Sequence, residues 1–276
     1  MQTDVHTVLE GREATVLLRA DGVAVRRLKH RSAGVRMKES ATLLHVSQHP
    51  HLVCISRIEG GDIYMEAMAV SLQAHSPSPQ TLSFHDKLCI ALSVALGIAH
   101  LHGHGMDHGD LCPANILLAH PRGELQVKLC DFYNQHAGAR RTAAYSAPEV
   151  VRAPQHVMCA ADVWALACCL LFLEGVEPFH GFDEDPAKLF YVAVHSCVAF
   201  KDGETFQQFV LDDCAYAPAR HVGRSAWRDV LAGAFVPEPS RLTSREICDK
   251  LTTLQAPPVR PRKTESTRVP FHRLNL

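Results

Sequence analysis

The chain has 276 residues, of which 47% are hydrophobic and 21% charged, and its formal net charge is −1. That length and apolar content suffice for a sizeable core, in one large domain or in two small lobes. The near-neutral charge argues against binding to nucleic acid, and the absence of an 18-residue apolar run argues against membrane insertion. The N-terminus has neither the basic nor the apolar region of a secretion signal, so we expect a soluble, intracellular protein of the cytoplasm or nucleus.

Ten cysteines and 18 histidines raise the question of disulfide bonds or a metal site. No C-x-x-C or H-E-x-x-H spacing occurs, and most cysteines lie in apolar helical runs such as "ALACCLLFL". Buried thiols in a reducing compartment therefore account for the cysteines better than disulfide bonds or zinc ligands do.

The first 70 residues or so predict a small β-sheet that carries one helix. "ATVLLRA" and "GVAVRRL" are short β-type runs joined by Asp21-Gly22, a two-residue hairpin signal. "MKESATLLHVSQ" has helical spacing and must end before Pro50, because proline cannot continue a helix. Two more strands flank Gly60-Gly61, and this lobe ends near Met68.

From Leu82 the pattern changes to long helices. "SFHDKLCIALSVALGIAHLHGHG" ends in glycines, and "ADVWALACCLLFLEG" is apolar on nearly all sides, which is typical of a helix inside a core. "SAWRDVLAGAF" and "TSREICDKLTTL" predict two later helices. We therefore predict one domain at 1–255, with lobes at 1–68 and 69–255, and a flexible basic tail at 256–276.

Three polar residues have a spacing that suits phosphate chemistry. In "HGDLCPANILL" an aspartate, Asp110, lies five residues before Asn115, and "KLCDFY" places a second carboxylate, Asp131, between two apolar pieces. Phosphoryl transfer requires positioning and charge neutralisation from a protein, and carboxylate and amide oxygens are suitable ligands for Mg²⁺. These residues are therefore the first candidates for a phosphotransfer site.

Together with three further motifs, these residues resemble the eukaryotic protein kinase family from about Val8 to Leu254. "HGDLCPANILL" resembles the catalytic loop, "CDFY" the metal-binding D-F-G, and "TAAYSAPE" the end of the activation segment. "ADVWALACCL" is similar to the family's central helix, and "EPSRLTSREI" to the stretch whose arginine, here Arg241, pairs with the A-P-E glutamate, here Glu149. The resemblance implies an α+β, two-lobed protein kinase-like fold, with a small β-rich N-lobe carrying one helix and a larger, mostly α-helical C-lobe.

The resemblance also implies a role for each polar residue. Asp110 would orient the substrate hydroxyl towards the γ-phosphate of ATP, while Asn115 and Asp131 would hold Mg²⁺. Met65 would occupy the gatekeeper position, just before the backbone groups that bind adenine. The residues that the resemblance assigns to the nucleotide site are Gly11, Val16, Ala24, Arg26, Glu39, Glu66, Met68 and Leu117.

The small lobe departs from the family pattern at the phosphates. "LEGREATV" retains only Gly11 of the three glycines in the phosphate-binding loop, so its backbone should approach phosphates poorly. "VAVR" places Arg26 where the family has a lysine, which keeps the charge but replaces a compact ammonium by a planar fork. Glu39 is our candidate for the helix glutamate that pairs with this cation. The spacing to Pro50 also allows Ser40 in that place, which would leave no such partner.

Departures in the larger lobe concern regulation and substrate class. Gly109 replaces the arginine that clasps a phosphorylated activation segment in other members, and the segment from Asp131 to Glu149 is short, so we expect no control by phosphorylation there. Cys112 replaces the lysine of Ser/Thr-directed members, which leaves the substrate class open. Tyr133 replaces the glycine of D-F-G and should restrict flipping of that segment.

Three functions fit the sequence. The one we favour is an active but atypical protein kinase that uses ATP and Mg²⁺ and acts on a protein substrate or signalling partner. The second is a pseudokinase that serves as a protein-interaction or scaffold module, which Arg26 and the eroded glycine loop favour. The third is a small-molecule kinase of the aminoglycoside or choline kinase type, which shares H-G-D-x-x-x-x-N but lacks the A-P-E and D-V-W-x-L motifs present here. Oligomeric state is left open by the sequence.

Overall fold

The computed structural model describes residues 5–10, 14–29, 37–75, 78, 81–132, 142–147, 149–150, 159–175, 227–235 and 238–255. Gly11, Tyr133 and the predicted tail at 256–276 lie outside these ranges, and the side chain of Glu39 is not among those described. The interpretations of these residues therefore stay predictions.

The small lobe is a five-stranded antiparallel sheet in the order β1-β2-β3-β5-β4. Its strands are β1 (Val5–Glu10), β2 (Ala14–Arg19), β3 (Val23–Leu28), β4 (Ile55–Glu59) and β5 (Asp62–Glu66). The predicted hairpin at Asp21-Gly22 is present, although its loop has three residues, 20–22, and not two, and the two strands predicted around Gly60-Gly61 also pair. At the first, Gly22 has φ 77°, and the Val23 N–H donates to Asp21 Oδ1 at 3.2 Å. Glycine suits this position because it has no Cβ to clash at positive φ.

One helix, α1 (Met37–Val46), accompanies this sheet, and it ends before Pro50 as predicted. Val46 is fully buried on its inner side. Ser47 follows the helix and ties it to β4: its Oγ donates to the Leu44 carbonyl oxygen and accepts from the Ile55 N–H, both at 3.1 Å.

The larger lobe is mainly helical. Its described helices are α2 (Phe84–Gly103), α3 (Cys159–Leu173), α4 (Arg228–Ala234) and α5 (Ser244–Gln255). Each lies in a segment for which the sequence predicted a helix. α2 begins at a cap in which Ser83 Oγ accepts the Asp86 N–H at 3.1 Å. α3 is buried along nearly its whole length, as its uniformly apolar sequence indicated.

By length and composition α2 is apolar enough to cross a membrane, although charged residues interrupt it near its start. Half of the apolar window of α2 is buried inside the fold, and the helix packs against α3 and α5. The core helix of a soluble protein has the same character, so this feature is weak evidence for a membrane span.

A second, three-stranded antiparallel sheet lies in the larger lobe, with the order β6-β7-β8. It consists of β6 (Val70–Ser71), β7 (Ile116–Ala119) and β8 (Gln126–Leu129). β7 follows Asn115 directly, and β8 ends two residues before Asp131. Pairing of β7 with β8 therefore brings these two polar residues to the same end of the sheet. The sequence did not predict these strands, because runs of two to four residues carry no readable periodicity.

Five histidine rings lie close together near the end of α1. We refer to them as the histidine cluster: His45, His49, His51, His100 and His104. The rings of His49 and His100 stack with centroids 4.2 Å apart and planes 19° from parallel. His104 lies 4.5 Å from His100 and 6.0 Å from His45, while His51 lies 5.6 Å from His49. The cluster joins the end of α1, the loop after it and the end of α2.

Burial of the histidine cluster and one hydrogen bond within it favour uncharged rings. His49 Nδ1 accepts the backbone N–H of His51 at 3.3 Å, which it can do only while that nitrogen carries no proton. His100 Nε2 donates to the Val46 carbonyl oxygen at 3.1 Å. Burial, together with repulsion from the neighbouring histidines and Lys128, lowers the pKa of His49 to about 4. Burial also lowers the pKa values of His51 and His100.

These shifts predict a loss of stability in acid. The unfolded chain takes up a proton at His49 near pH 6.5, whereas the folded chain does so only near pH 4, so unfolding becomes easier as pH falls between those values. We expect the free energy of unfolding to fall by about 1 kcal/mol across this window, since the ring is only half-buried and solvent screens it.

Urea unfolding of wild type and His49→Gln between pH 7 and pH 4.5 measures this effect. The variant should show a smaller loss, while His120→Gln, which alters an exposed histidine outside the cluster, should follow wild type. Equal pH slopes for all three proteins would contradict the prediction.

Candidate active site

Helix α3 holds the loop 108–115 in place through hydrogen bonds. Asp162 of α3, which is buried, accepts the N–H groups of His108 at 2.7 Å and Gly109 at 3.0 Å. Its Oδ2 also lies 2.9 Å from His102 Nε2, and Ser244 Oγ lies 2.9 Å from the other nitrogen of that ring. Burial alone would raise the pKa of the Asp162 carboxyl, but the hydrogen bond from His102 and the nearby His108 outweigh it and lower that pKa. Asp162 therefore anchors the loop as a carboxylate.

Gly109 explains one of the departures seen in the sequence. Its φ is 79°, in the left-handed region where any side chain is strained. A glycine relieves this strain at the turn that leads into Asp110.

Asp110 lies in a network of short hydrogen bonds. Asn115 Nδ2 donates to the Asp110 carbonyl oxygen at 2.8 Å and lies 3.4 Å from Asp110 Oδ2. The Thr142 N–H donates to Asp110 Oδ1 at 2.8 Å. Burial raises the pKa of the Asp110 carboxyl, and the charge of Asp131 adds to this, although the bonds from Thr142 oppose it. The amide of Asn115 and the carboxylate of Asp110 thus form one unit.

Asp131 is connected to this unit through the backbone. The Cys130 N–H donates to the Asn115 carbonyl oxygen at 3.0 Å. Asp131 has φ 65°, a strained value for a residue other than glycine, and such values concentrate at functional sites. Its Oδ1 lies 3.2 Å from Arg26 Nη2. Phe132, the next residue, is fully buried.

The donor set fits Mg²⁺ completed by phosphates. Asn115 uses its Nδ2 to bond Asp110, which leaves its amide oxygen for a cation, and the Asp131 carboxylate is partly exposed. No group of three or more His, Cys, Asp or Glu side chains able to hold a metal occurs in the described ranges. Magnesium in phosphotransfer sites takes one or two protein oxygens and fills its remaining positions with water and substrate phosphates, so a two-oxygen set suits it.

The apolar residues assigned to the nucleotide site come from both lobes. Ala24 of β3 is buried and lies in register with Met65 of β5, so these two residues adjoin in the sheet. Val16, Met68 and Leu117 are partly buried hydrophobic residues packed against the core. Val16 lies on β2 and Leu117 on β7, one strand from each lobe.

The adenine-binding backbone groups predicted at 66–68 are fewer than expected. The Glu66 N–H already donates to the Cys54 carbonyl oxygen at 3.0 Å, and the Ala67 N–H donates to the Gly22 carbonyl oxygen at 2.9 Å. Both N–H groups serve the sheet. The backbone N–H of Met68 is therefore the remaining candidate in this segment to donate a hydrogen bond to adenine.

A small cleft, open to solvent, lies beside Asp110 and is lined by residues of the larger lobe. Gly109, Thr142, Tyr145 and Ala147 are among the residues that line it. A hydroxyl on a chain segment lying in this cleft would be next to the Asp110 carboxylate.

The predicted pair of Glu149 with Arg241 is confirmed. Arg241 binds both carboxylate oxygens, at 2.5 Å and 3.1 Å, and its Nη1 donates to the Ala160 carbonyl oxygen at 2.8 Å. Its guanidinium also lies 5.3 Å from the centroid of the Trp164 ring. Glu149 of the A-P-E motif is thereby linked to α3 and to the segment that precedes α5.

A sequence model of the protein kinase domain matches residues 10–250, most of the chain. The chain belongs to the protein kinase family.

Curated kinases are similar to parts of this kinase chain. Serine/threonine-protein kinase NLK2 of Xenopus laevis is 28% identical over 48% of the chain and 30% of its own length. Mitogen-activated protein kinase mpkA of Aspergillus fumigatus is 26% identical over 60% of the chain and 45% of its own length. Serine/threonine-protein kinase ksp1 of Schizosaccharomyces pombe is 40% identical over 30% of the chain and 20% of its own length. The chain thus spans less than half of each relative.

The solved kinase domain of PknI from Mycobacterium tuberculosis has a similar fold. It matches 92% of this chain and 96% of its own, with a TM-score of 0.59 and 18% sequence identity. At that identity the likeness shows the fold alone. The predicted two-lobed α+β kinase fold is confirmed.

Cys112 does not replace the charge of the kinase lysine that it stands for. Its thiol is buried, and burial raises its pKa to about 11, so it is uncharged at neutral pH. Thr142 Oγ1 lies 3.5 Å from Cys112 Sγ, and the Thr142 N–H bonds Asp110. In this kinase chain the backbone of Thr142, without a lysine, holds the Asp110 carboxylate.

Sequence reasoning missed three residues in and around the candidate site: Thr142, His102 and Lys128. Thr142 acts through its backbone N–H, which no sequence motif displays. His102 and Asp162 are 60 positions apart, and only the packing of α2 on α3 brings them together. Lys128 could have been suspected, because a lysine inside the apolar run "QVKLC" is either exposed at an edge or buried with a partner.

Proposed function

We propose that the chain is an atypical protein kinase that transfers the γ-phosphate of Mg-ATP to a hydroxyl of a protein substrate. The observation that supports this most is the single bonded unit of Asp110, Asn115 and the segment leading to Asp131. A kinase requires a carboxylate near the acceptor hydroxyl and oxygen ligands near the phosphates, and this unit supplies both.

Each residue has a proposed task. Asp110 accepts the hydrogen bond of the substrate hydroxyl and orients it, and its raised pKa makes it a better proton acceptor as the bond to phosphorus forms. Asn115 and Asp131 would hold Mg²⁺, which neutralises charge on the phosphates when it is bound with ATP. Thr142 keeps the Asp110 carboxylate oriented through its N–H.

Arg26 is the proposed phosphate-binding cation. It is buried and lies 3.2 Å from Asp131, so it is positioned beside the place where Mg²⁺ would be held. Its planar fork prefers a bidentate carboxylate or phosphate partner over the point contact that a lysine makes. Binding of a nucleotide therefore requires Arg26 to divide its hydrogen bonds between Asp131 and phosphate, and we expect this to make the enzyme slow.

We propose a protein substrate and not a small-molecule substrate. The A-P-E segment is anchored through Arg241, and it borders the open cleft beside Asp110. Such an anchored segment would give an extended chain a rigid surface to lie on, which a small substrate does not need. We also propose an intracellular location, which accords with the buried thiols.

Thermal unfolding with ATP, with and without Mg²⁺, tests the proposal. Saturating Mg-ATP should raise the free energy of unfolding by about 1–3 kcal/mol, as expected for a ligand that binds only the folded state. Phosphate incorporation into a generic protein substrate should accompany this shift. Arg26→Lys, which restores a point-charge donor, should increase incorporation, and Arg26→Ala should abolish the Mg-ATP shift.

The Arg26–Asp131 ion pair also favours a second candidate, a pseudokinase that binds partners without transferring phosphate. In that case the pair would keep Asp131 from Mg²⁺ permanently, and no shift would occur at millimolar nucleotide. Absence of any shift in wild type and in Arg26→Lys would overturn the kinase proposal in favour of this one.

A further inference from the structure

Lys128 is a buried cation at the junction between the lobes. It lies in β8, three residues before Asp131, between the buried residues Val127 and Leu129, and its side chain is 8% exposed. Lysines are almost never buried this deeply unless they are paired, because removing the ammonium from water is unfavourable. Its position therefore depends on the anion that it meets.

That anion is Glu66, the last residue of β5. Lys128 Nζ lies 2.5 Å from Glu66 Oε1, and the same oxygen accepts the Cys54 N–H at 2.7 Å. The Glu66 N–H in turn donates to the Cys54 carbonyl oxygen at 3.0 Å. Because its side chain and its backbone are both bonded to Cys54, the residue before β4, the carboxylate presents a fixed target to the lysine.

Two ion pairs thus link the same parts of the two lobes. Glu66 lies on β5 and Arg26 on the adjacent strand β3, whose residues pair with β5 in register. Lys128 and Asp131 lie on β8 and the residues that follow it. Glu66 pairs with Lys128, and Arg26 pairs with Asp131, so each lobe contributes one acid and one base.

We propose that Glu66 and Lys128 are positioning residues that fix the connection between the lobes, residues 66–68, relative to the strand end that carries Asp131. Neither side chain touches the reacting atoms. The ion pair between them sets the distance between strands β3 and β5 and Asp131. That distance in turn decides whether Arg26 and the metal ligands can contact the same triphosphate. Only this last consequence, for nucleotide binding, rests on the proposed function.

Hydrogen exchange of the nucleotide-free protein tests the structural part directly. Glu66→Gln and Lys128→Met should each increase amide exchange roughly tenfold in two segments, 64–69 and 127–132, as a lost coupling between two elements predicts. Lys128→Arg, which keeps a cation, should restore slow exchange. The double variant Glu66→Gln/Lys128→Met should change exchange by little more than either single variant, because both remove one interaction.

Lys87→Met is the matched control. Lys87 is equally buried, on α2, and its Nζ lies 3.6 Å from Glu174 within the larger lobe. We expect Lys87→Met to lower the melting temperature without raising exchange at 64–69 or 127–132. The dissociation constant for Mg-ATP should rise roughly tenfold in Glu66→Gln and stay at the wild-type value in Lys87→Met.

The outcomes separate this inference from the proposed function. Wild type that binds no nucleotide contradicts the proposed function, while the exchange comparison still decides whether the pair positions the two segments. Variants of Glu66 and Lys128 that lose stability like Lys87→Met, with exchange in both segments at the control value, show a merely structural pair and overturn the inference.

Discussion

Replacing Asp110 by asparagine is expected to lower phosphate incorporation by a factor of about 10²–10⁴, the range for loss of a positioned general base. The shape of the side chain is kept, and an asparagine oxygen can still accept the Thr142 N–H that now meets Oδ1. Asn115 bonds the backbone carbonyl oxygen of Asp110, which the substitution does not alter. The loss should therefore reflect the missing carboxylate and not a displaced loop.

Incorporation of labelled phosphate, measured beside the affinity for Mg-ATP, checks this expectation. The affinity of Asp110→Asn should stay near that of wild type, and Asp229→Asn, at an exposed position on α4, should behave as wild type in both assays. Labelling of Asp110→Asn at the wild-type rate would show that the phosphate is transferred without Asp110 or by a contaminating kinase.

The acid limb of the rate provides a second measure of the same carboxylate. Burial raises the pKa of Asp110, and only its deprotonated form accepts a proton. The rate should therefore begin to fall at a higher pH than it would for an exposed aspartate. Thr142→Pro, which removes the N–H that opposes this shift, should move the acid limb higher still.

The sequence predicted the fold well where hydrophobic periodicity or turn-forming residues mark an element. The hairpin at Asp21-Gly22 and the almost entirely apolar helix α3 could be predicted directly, because turn-forming residues and helical burial each leave a pattern in the sequence. Pairing of Glu149 with Arg241 came from the family resemblance alone. Nothing in the composition of either segment indicates that they meet.

The features that the sequence did not predict depend on tertiary contact. The histidine cluster combines residues from 45 to 104 that share no motif, and only the packing of α1 against α2 brings them together. The Glu66–Lys128 pair also depends on tertiary contact, and the sequence did not predict it. Glu66 had been interpreted only as a residue whose backbone contacts adenine. That interpretation gave no role to its carboxylate, which pairs with Lys128 of the other lobe. Family motifs include some residues that hold the site in position, such as Asp162 and Glu149, whereas His102 and Lys128 carry no such signature.

Breaking the Arg241–Glu149 pair is expected to cause the largest loss of stability. The side chain of Arg241 is 0% exposed, and removing one partner leaves an uncompensated buried charge, which costs about 3–5 kcal/mol. We expect Glu149→Gln to lower the free energy of unfolding by this amount, a large share of the roughly 5–15 kcal/mol of a typical domain. The Glu59→Gln variant, in the exposed pair with Arg57 at 3.5 Å, should lose at most about 1 kcal/mol.

A double-mutant cycle separates the charge from the packing. Arg241→Met alone removes the hydrogen bonds to Glu149 and Ala160 and the contact with Trp164, whereas Arg241→Met with Glu149→Leu also removes the stranded carboxylate. Because replacing both charges by apolar groups is often neutral or better, the double variant should be more stable than Arg241→Met, as urea unfolding would measure. The loss of stability in the double variant could instead equal the sum of the losses in Arg241→Met and Glu149→Leu. That result would show that the two side chains contribute independent contacts. In that case α3 and the A-P-E segment would be held by packing, and the confirmed ion pair would add little to the rigidity of the cleft beside Asp110.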